Sequence, residues 1–242
     1  MYDFGAFGMS QMIECGSNLR ASAKDATSME EAAERIIALL YESLVQGEEK
    51  APSLVLARLY KTHPYGRLPL DLQEFARSVL PDQVLADETR CLTLLATRGV
   101  DPDWNARRAS RRHRAIPLPS VEIVERFPMI AQLMRQLGLD LAEVVSPRPS
   151  VILDMQQRSF NVFHVPEALG SPFIPVQKDF VERHGVRSVL GFGGALHDGD
   201  IFACILFSRA AITRDVAGLF HAVALNTKLS LIPFVGGEVF VS

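Results

Sequence analysis

Three groups of side chains in this chain have the means to do chemistry. His63 stands beside Tyr65 in KTHPYG, and His164 follows Phe163 in FNVFHVPEALGSP, each where a strand is expected to give way to irregular chain. A histidine in such a place can ligate a metal or haem through one ring nitrogen or hydrogen-bond a polar ligand, because binding residues concentrate on loops over rigid scaffolds. It can equally fasten its own loop. The second group is Arg107, Arg108, Arg111, Arg112 and Arg114, with His113 among them. Guanidiniums in such a run can neutralise phosphates, but Asp101, Asp103, Glu122 and Glu125 dilute the field and no recognition helix or RNA-binding motif accompanies it, so nucleic acid is not the expected partner. A loop bridged to the protein's own acids, or a dock for an anionic ligand or partner, remains. His63, Tyr65, Arg112, Arg114, Phe163 and His164 are the candidate ligand contacts.

The third group is Cys15, Cys91 and Cys204, too far apart for a CxxC zinc site and odd in number, which excludes a closed disulfide framework. Cys91 and Cys204 fall inside apolar runs, where a buried and inert thiol is expected. There is no G-x-S-x-G elbow and no H-E-x-x-H, so no catalytic residue is assigned and the chain reads as a non-enzyme. The GFGGAL stretch lacks the spacing and the strand-to-helix setting of a nucleotide loop; glycines inside a strand mark a bulge or a close backbone approach.

The elements that must position these groups are legible in part. The chain has 242 residues, 48% of them hydrophobic and 22% charged, with a formal charge of -3, enough for one large domain with a core and poorly suited to a general polyanion binder. Its longest apolar runs fall short of the roughly 18 to 20 residues of a membrane span, and no signal-peptide pattern opens it, so a soluble, cytoplasmic protein with no membrane partner is expected. Residues 1–27 read as an N-terminal arm with a short helical piece. Ser28 and Glu31 form a capping box ahead of a helix to Leu44. Leu54–Tyr60 and Cys91–Thr97 read as strands around a helix over Leu70–Leu80. Residues 100–120, with all five arginines of the run and the single tryptophan, read as an irregular insertion. A helix restarts at Pro128 and stops at Gly138. Val151–Asp154 and Phe160–Phe163 are short strand candidates, and HVPEALGSPFIP is too proline-rich for regular structure. Val186–Leu196 and Ile201–Ser208 should pair across the D-G turn, and Thr213 should cap a last helix, before a tail over 236–242.

The segment from Arg187 to Leu231, RSVLGFGGALHDGDIFACILFSRAAITRDVAGLFHAVALNTKLSL, resembles the closing strand, hairpin, strand and helix of a GAF domain, a PAS-related sensor fold. SMEEAAERIIALLYESL resembles that family's opening helix, and CLTLLATRG its second strand. The phrases KTHPYG, RAIPLPS, NVFHVPEALGSP and RSVLGFGG resemble N-terminal input modules of bacterial signalling proteins, histidine kinases among them. The resemblance implies an α/β (α+β) fold over 28–235, with a central antiparallel sheet, flanking helices and a pocket roofed by the long middle segment. It implies a cytoplasmic sensory input module of signal transduction, of the kind found in two-component systems. Such a module would bind a small molecule, form a homodimer through its terminal helices and pass a signal to an effector domain or kinase. A ligand-free dimerisation scaffold is the alternative, and a thiol-dependent methionine sulfoxide reductase on the same scaffold a third. The cofactor is left open, haem on His164 or another small ligand. There is no NKXFDE-like run, as in cyclic-nucleotide GAF domains, and no cysteine where bilins attach.

Overall fold

The structure is a computed structural model and describes residues 1–147 and 162–240. Its centre is a six-stranded antiparallel sheet built from β4 (Leu54–Pro64), β5 (Arg90–Gly99), β6 (Ala115–Pro117), β7 (Phe163–Val165), β8 (Ser188–Ala195) and β9 (Ile201–Ser208), in the order β6-β5-β4-β9-β8-β7. Three short strands, β1 (Tyr2–Asp3), β2 (Leu44–Gln46) and β3 (Ala51–Pro52), form a small separate sheet. The helices α1 (Met9–Ala23), α2 (Met29–Ser43) and α7 (Arg214–Leu231) cover one face of the large sheet, where Leu59, Leu95, Phe192 and Cys204 join their core. The short helices α4 (Val121–Glu125), α5 (Pro128–Gln136) and α6 (Leu141–Val145) pack on the other, against Leu92, Val189 and Ile205. A helix α3 (Leu70–Val79) closes the β6 edge with its own small cluster of Leu72, Ala76, Cys91 and Ala115. A sheet covered on both sides requires near-continuous apolar strands, which is why CLTLLAT and IFACILF show no alternation.

The local signals behave as their chemistry dictates. Ser28 Oγ accepts the Glu31 N–H at the start of α2, while Glu31 reaches back to the Thr27 N–H. Thr213 caps α7 in the same way, accepting from Val216. β8 and β9 pair from Ser188 opposite Ser208 to Ala195 opposite Ile201, with Gly199 at φ +82 in the turn, as the D-G signal requires. Gly138, at φ +82, lies just beyond α5.

Four expectations are corrected. Residues 1–27 are no arm: Phe4, Phe7, Cys15 and Leu19 are buried, and both phenylalanines pack on Phe220 of α7. The inward face of α1 is made of the small or solitary side chains Cys15, Gly16, Leu19 and Ala23, which leaves a weak amphipathic signal. The tail is not separate either, since the Met29 and Glu30 N–H groups donate to the Glu238 and Val239 carbonyls and so cap α2 with residues 238–239. β4 runs four residues past Tyr60, because Lys61 and His63 are buried there by groups far away in sequence. The irregular 100–120 segment ends in β6, an edge strand on β5. The Val151–Asp154 candidate lies outside the described residues, as do residues 160–161 of Phe160–Phe163, whose last residue begins β7. Among the described residues one helix, Arg214–Phe234, is long and apolar enough to cross a membrane by length and composition, a feature the apolar runs did not suggest. Its Val216, Phe220, Val223 and Thr227 are buried in the fold, as in a core helix.

Two glycines of GFGGAL let elements touch. A Cβ on Gly193 would lie 2.4 Å from the Phe202 carbonyl oxygen, and one on Gly191 2.9 Å from Leu133 of α5. Gly193→Ala is therefore expected to cost about 2 to 3 kcal/mol, the scale of overpacking in a dense interior. Gly218→Ala should stabilise by roughly 0.5 to 1 kcal/mol, since Gly218 lies inside α7 with open space at its Cβ position. Urea unfolding of the two variants, read by circular dichroism, checks the opposite signs.

Candidate functional site

β4 alternates across the sheet: Leu59 faces the core of α1, α2 and α7, while Leu56 and Tyr60 face the other side. There they meet a cavity of about 460 Å³, which Arg58 also lines. Its floor is the sheet, with Leu92, Ile205 and Phe207 beside β4; its wall is the start of α5, from Phe127 to Ile130. Its roof has two parts, residues 110–113 from the arginine segment and residues 174–176 at the end of the proline-rich stretch. The two irregular segments thus border one cavity, as their proline content and freedom from a ladder allow. Trp104 sits at the same rim, edge-on to Phe180 at 5.7 Å, and Phe180 is edge-on to Phe207 at 5.0 Å.

Arg58 is the charged group inside this apolar space, only 7% exposed. Its Nη1 donates to the Tyr60 hydroxyl oxygen at 3.2 Å and to the Arg112 carbonyl at 3.4 Å, and its Nη2 to Ser110 Oγ at 3.0 Å. Its Nε has no acceptor. Among the described residues no carboxylate forms an ion pair with it. Of the acids lining the cavity, Asp103 pairs with the exposed Arg111 at 3.0 Å, and Asp179 is exposed at the rim.

The far end of β4 carries a second cluster with the opposite bookkeeping. Lys61 pairs with Asp200, Arg90 Nη2 pairs with Asp200 at 3.0 Å, and Thr62 Oγ1 donates to Asp200 at 3.0 Å while accepting from the Ile201 N–H. Arg90 also donates through both Nη groups to the Gly199 carbonyl. These contacts clasp the β8–β9 turn to β4 and β5. Beside them a cleft of about 810 Å³ is bordered by His63 and by residues 234–240. Phe240 packs on the His63 ring at 5.2 Å, and the Arg107 guanidinium, paired with Glu30 at 2.6 Å, lies 5.2 Å over the same phenyl ring. Burial, and then the neighbouring Lys61, push the His63 pKa down to about 3. Neither ring nitrogen makes a full hydrogen bond, although the Lys61 backbone lies near enough to offset the shift in part.

Of the six candidate residues, Arg112 alone lines the 460 Å³ cavity. His63 lies in the other cleft, and Tyr65 is buried beside Leu72 and Cys91. Arg114 is turned away to pair with Asp71 and cover the Phe75 ring. Phe163 is core, pressed on the Gly191 backbone. His164 is on β7, five strands and so about 24 Å from the β6 edge that Arg114 precedes. Its Nε2 donates to the Ile212 carbonyl at 2.9 Å and its backbone N–H to Gln136, a fastening role. Arg58 and Tyr60 were missed because both read as part of a short apolar strand; an arginine inside LVLARLY was the available signal. Among the described residues no group of three histidine, cysteine or acidic side chains could hold a metal. Cys91 and Cys204 are buried in different clusters on strands either side of β4, and burial raises both thiol pKa values, that of Cys91 to about 12.

The depressed His63 pKa has a testable sign. Between about pH 3 and 6.5 the unfolded chain binds a proton at this histidine that the folded chain refuses, so stability falls as pH drops through that window. His63→Phe should flatten the slope of stability against pH there by up to one proton, about 1.4 kcal/mol per pH unit. Urea unfolding at a series of pH values measures it, and parallel profiles for the two proteins would refute it.

No protein-family model matches the chain, and no curated protein matches it. Among solved structures, the GAF domain from a phosphoenolpyruvate-protein phosphotransferase (ptsP) from Coxiella burnetii has a TM-score of 0.50 with it, over 93% of this chain and 95% of that one, at 9% identity. The corresponding GAF domain from Acinetobacter gives 0.45 over 95% and 97%, at 9% identity. The N-acylhomoserine lactone dependent LuxR family factor CepR2 from Burkholderia cenocepacia gives 0.41 over 95% and 100%, at 11% identity. Together with a six-stranded antiparallel sheet flanked by helices, the Coxiella likeness identifies this chain as a GAF-like domain in fold.

Proposed function

We propose that the chain is a non-catalytic, cytoplasmic sensory module of bacterial signal transduction that binds a small molecule in the cavity beside Arg58. The observation that carries this reading is that one loop serves two places. Residues 110–113 roof the cavity, and Arg107, three residues earlier than Ser110, holds Glu30 at the start of α2 and the Phe240 ring near the end of the described chain. A molecule filling the cavity displaces the roof, and the displacement reaches α2 and the C-terminal segment, where a kinase or other effector would read it. The buried, separated thiols favour this over a sulfoxide reductase, whose chemistry needs an accessible nucleophilic and resolving pair.

A neutral dye tests the cavity without prejudging charge. Prodan should bind one to one, take energy from Trp104, the single tryptophan, and change hydrogen exchange at Met29–Glu30 and Glu238–Phe240. Ile130→Trp, which fills the cavity, should abolish all three effects. Binding without any exchange change at the α2 end would contradict the signalling route, and no binding would contradict the cavity.

The partner reading rests on α7. Leu225 and Leu229, one turn apart, are 56% and 46% exposed, and a second copy covering them would bury apolar area that soluble monomers seldom leave in contiguous patches. We expect sedimentation to show a dimer that L225E/L229E converts to a monomer of native fold; a monomeric parent protein would contradict the homodimer.

A further inference from the structure

β4 carries two buried cations three residues apart, and only one has a counter-charge within the described residues. Lys61 is matched by Asp200; Arg58 has a phenol, a hydroxyl and a carbonyl, an Nε with no acceptor, and no carboxylate. Burying a charge without a partner is costly, and arginine does not escape by losing its proton. The lining deepens the imbalance: four arginines (58, 111, 112 and 126) face two aspartates, one of them already held by Arg111. Apart from Tyr60, Ser110 and His113 the rest of the lining is mainly apolar, so a bare inorganic anion would neutralise Arg58 and leave most of that surface wet. One buried positive charge calls for one negative charge, and the planar guanidinium edge fits a carboxylate fork.

Resting on the cavity as a ligand site, we infer that its ligand is a small organic monoacid, with the carboxylate on Arg58 and an apolar body between Phe207 of the sheet and Phe127 of the wall. Arg58 is then the residue that selects acids, with Ser110 and Tyr60 orienting its guanidinium. The Arg112 side chain, exposed at the rim, adds attraction but little selectivity.

Calorimetric titration of the full chain with three rigid probes of one shape tests this: 2-naphthoate, the neutral 2-naphthylmethanol, and 2-naphthyl phosphate. Naphthoate should bind at least tenfold more tightly than the alcohol and more tightly than the phosphate ester. In Arg58→Met the alcohol should still bind, and the preference for the acid should collapse to within about threefold, whereas Arg112→Gln should weaken naphthoate by no more than a few-fold. Equal binding of acid and alcohol by the parent protein would overturn the inference while leaving the cavity reading intact if prodan binds; that comparison needs no variant to fold. An acid preference that survives in Arg58→Met, or tighter binding of the phosphate ester, would also overturn it. Failure of the naphthyl probes and of prodan alike would remove the cavity reading as well.

Discussion

A strand buried on both faces can hold a charge only if something answers it. β4 is such a strand: β5 and β9 flank it, the terminal helices cover one face, and the cavity opens on the other. At Lys61 the answer comes from Asp200, 139 residues later, and with Arg90 and Thr62 it ties the β8–β9 turn to the middle of the sheet. That ionic clasp gives the register of the central strands a polar anchor in addition to the ladder hydrogen bonds. At Arg58 no comparable answer comes from the described residues, and the space in front of it is open rather than packed. One strand thus carries one charge that the fold answers and one that the described residues leave without a counter-charge.

The loop between β5 and β6 connects these consequences. Trp104 and residues 110–113 lie over the cavity; Arg107 points to the opposite side, into the cluster with Glu30 and Phe240. Because the Arg107 guanidinium is almost wholly buried and already paired, its end of the loop is an anchored pivot, while Arg111 and Arg112 are exposed at the other end. The C-terminal segment is held by the pivot, by the His63 ring and by two backbone N–H groups of α2, which donate to carbonyls of residues 238 and 239.

The sequence made local features plain and long-range ones obscure. The capping box at Ser28, the Thr213 cap, the hairpin turn at Gly199 and the close approach at Gly193 all depend on neighbouring residues or a single backbone position, and their residue types announce them. The extension of β4 through His63 depends on Asp200 and Phe240, so the polar letters KTH read as the end of a strand. The inward face of α1 is written mostly in small residues that only α7 makes meaningful, Gly16 lying close against Asn226. The meeting of two irregular segments over one cavity was readable from their proline content, yet of the residues within it only Arg112 was: Arg114 was claimed by Asp71 and His164 by Ile212, while Arg58 hid inside an apolar run.

The contrast between the two charges of β4 can be measured on the ligand-free protein. Chemical unfolding of Asp200→Asn should show a loss of about 3 to 5 kcal/mol, because the change leaves Lys61 and Arg90 buried beside a neutral amide. Arg58→Met, which removes a buried cation of similar volume that has no counter-charge, should unfold at the same denaturant concentration as the parent or a higher one. A loss for Arg58→Met as large as that for Asp200→Asn would show that Arg58 is held by the fold itself and contradict its role as a charge reserved for a ligand.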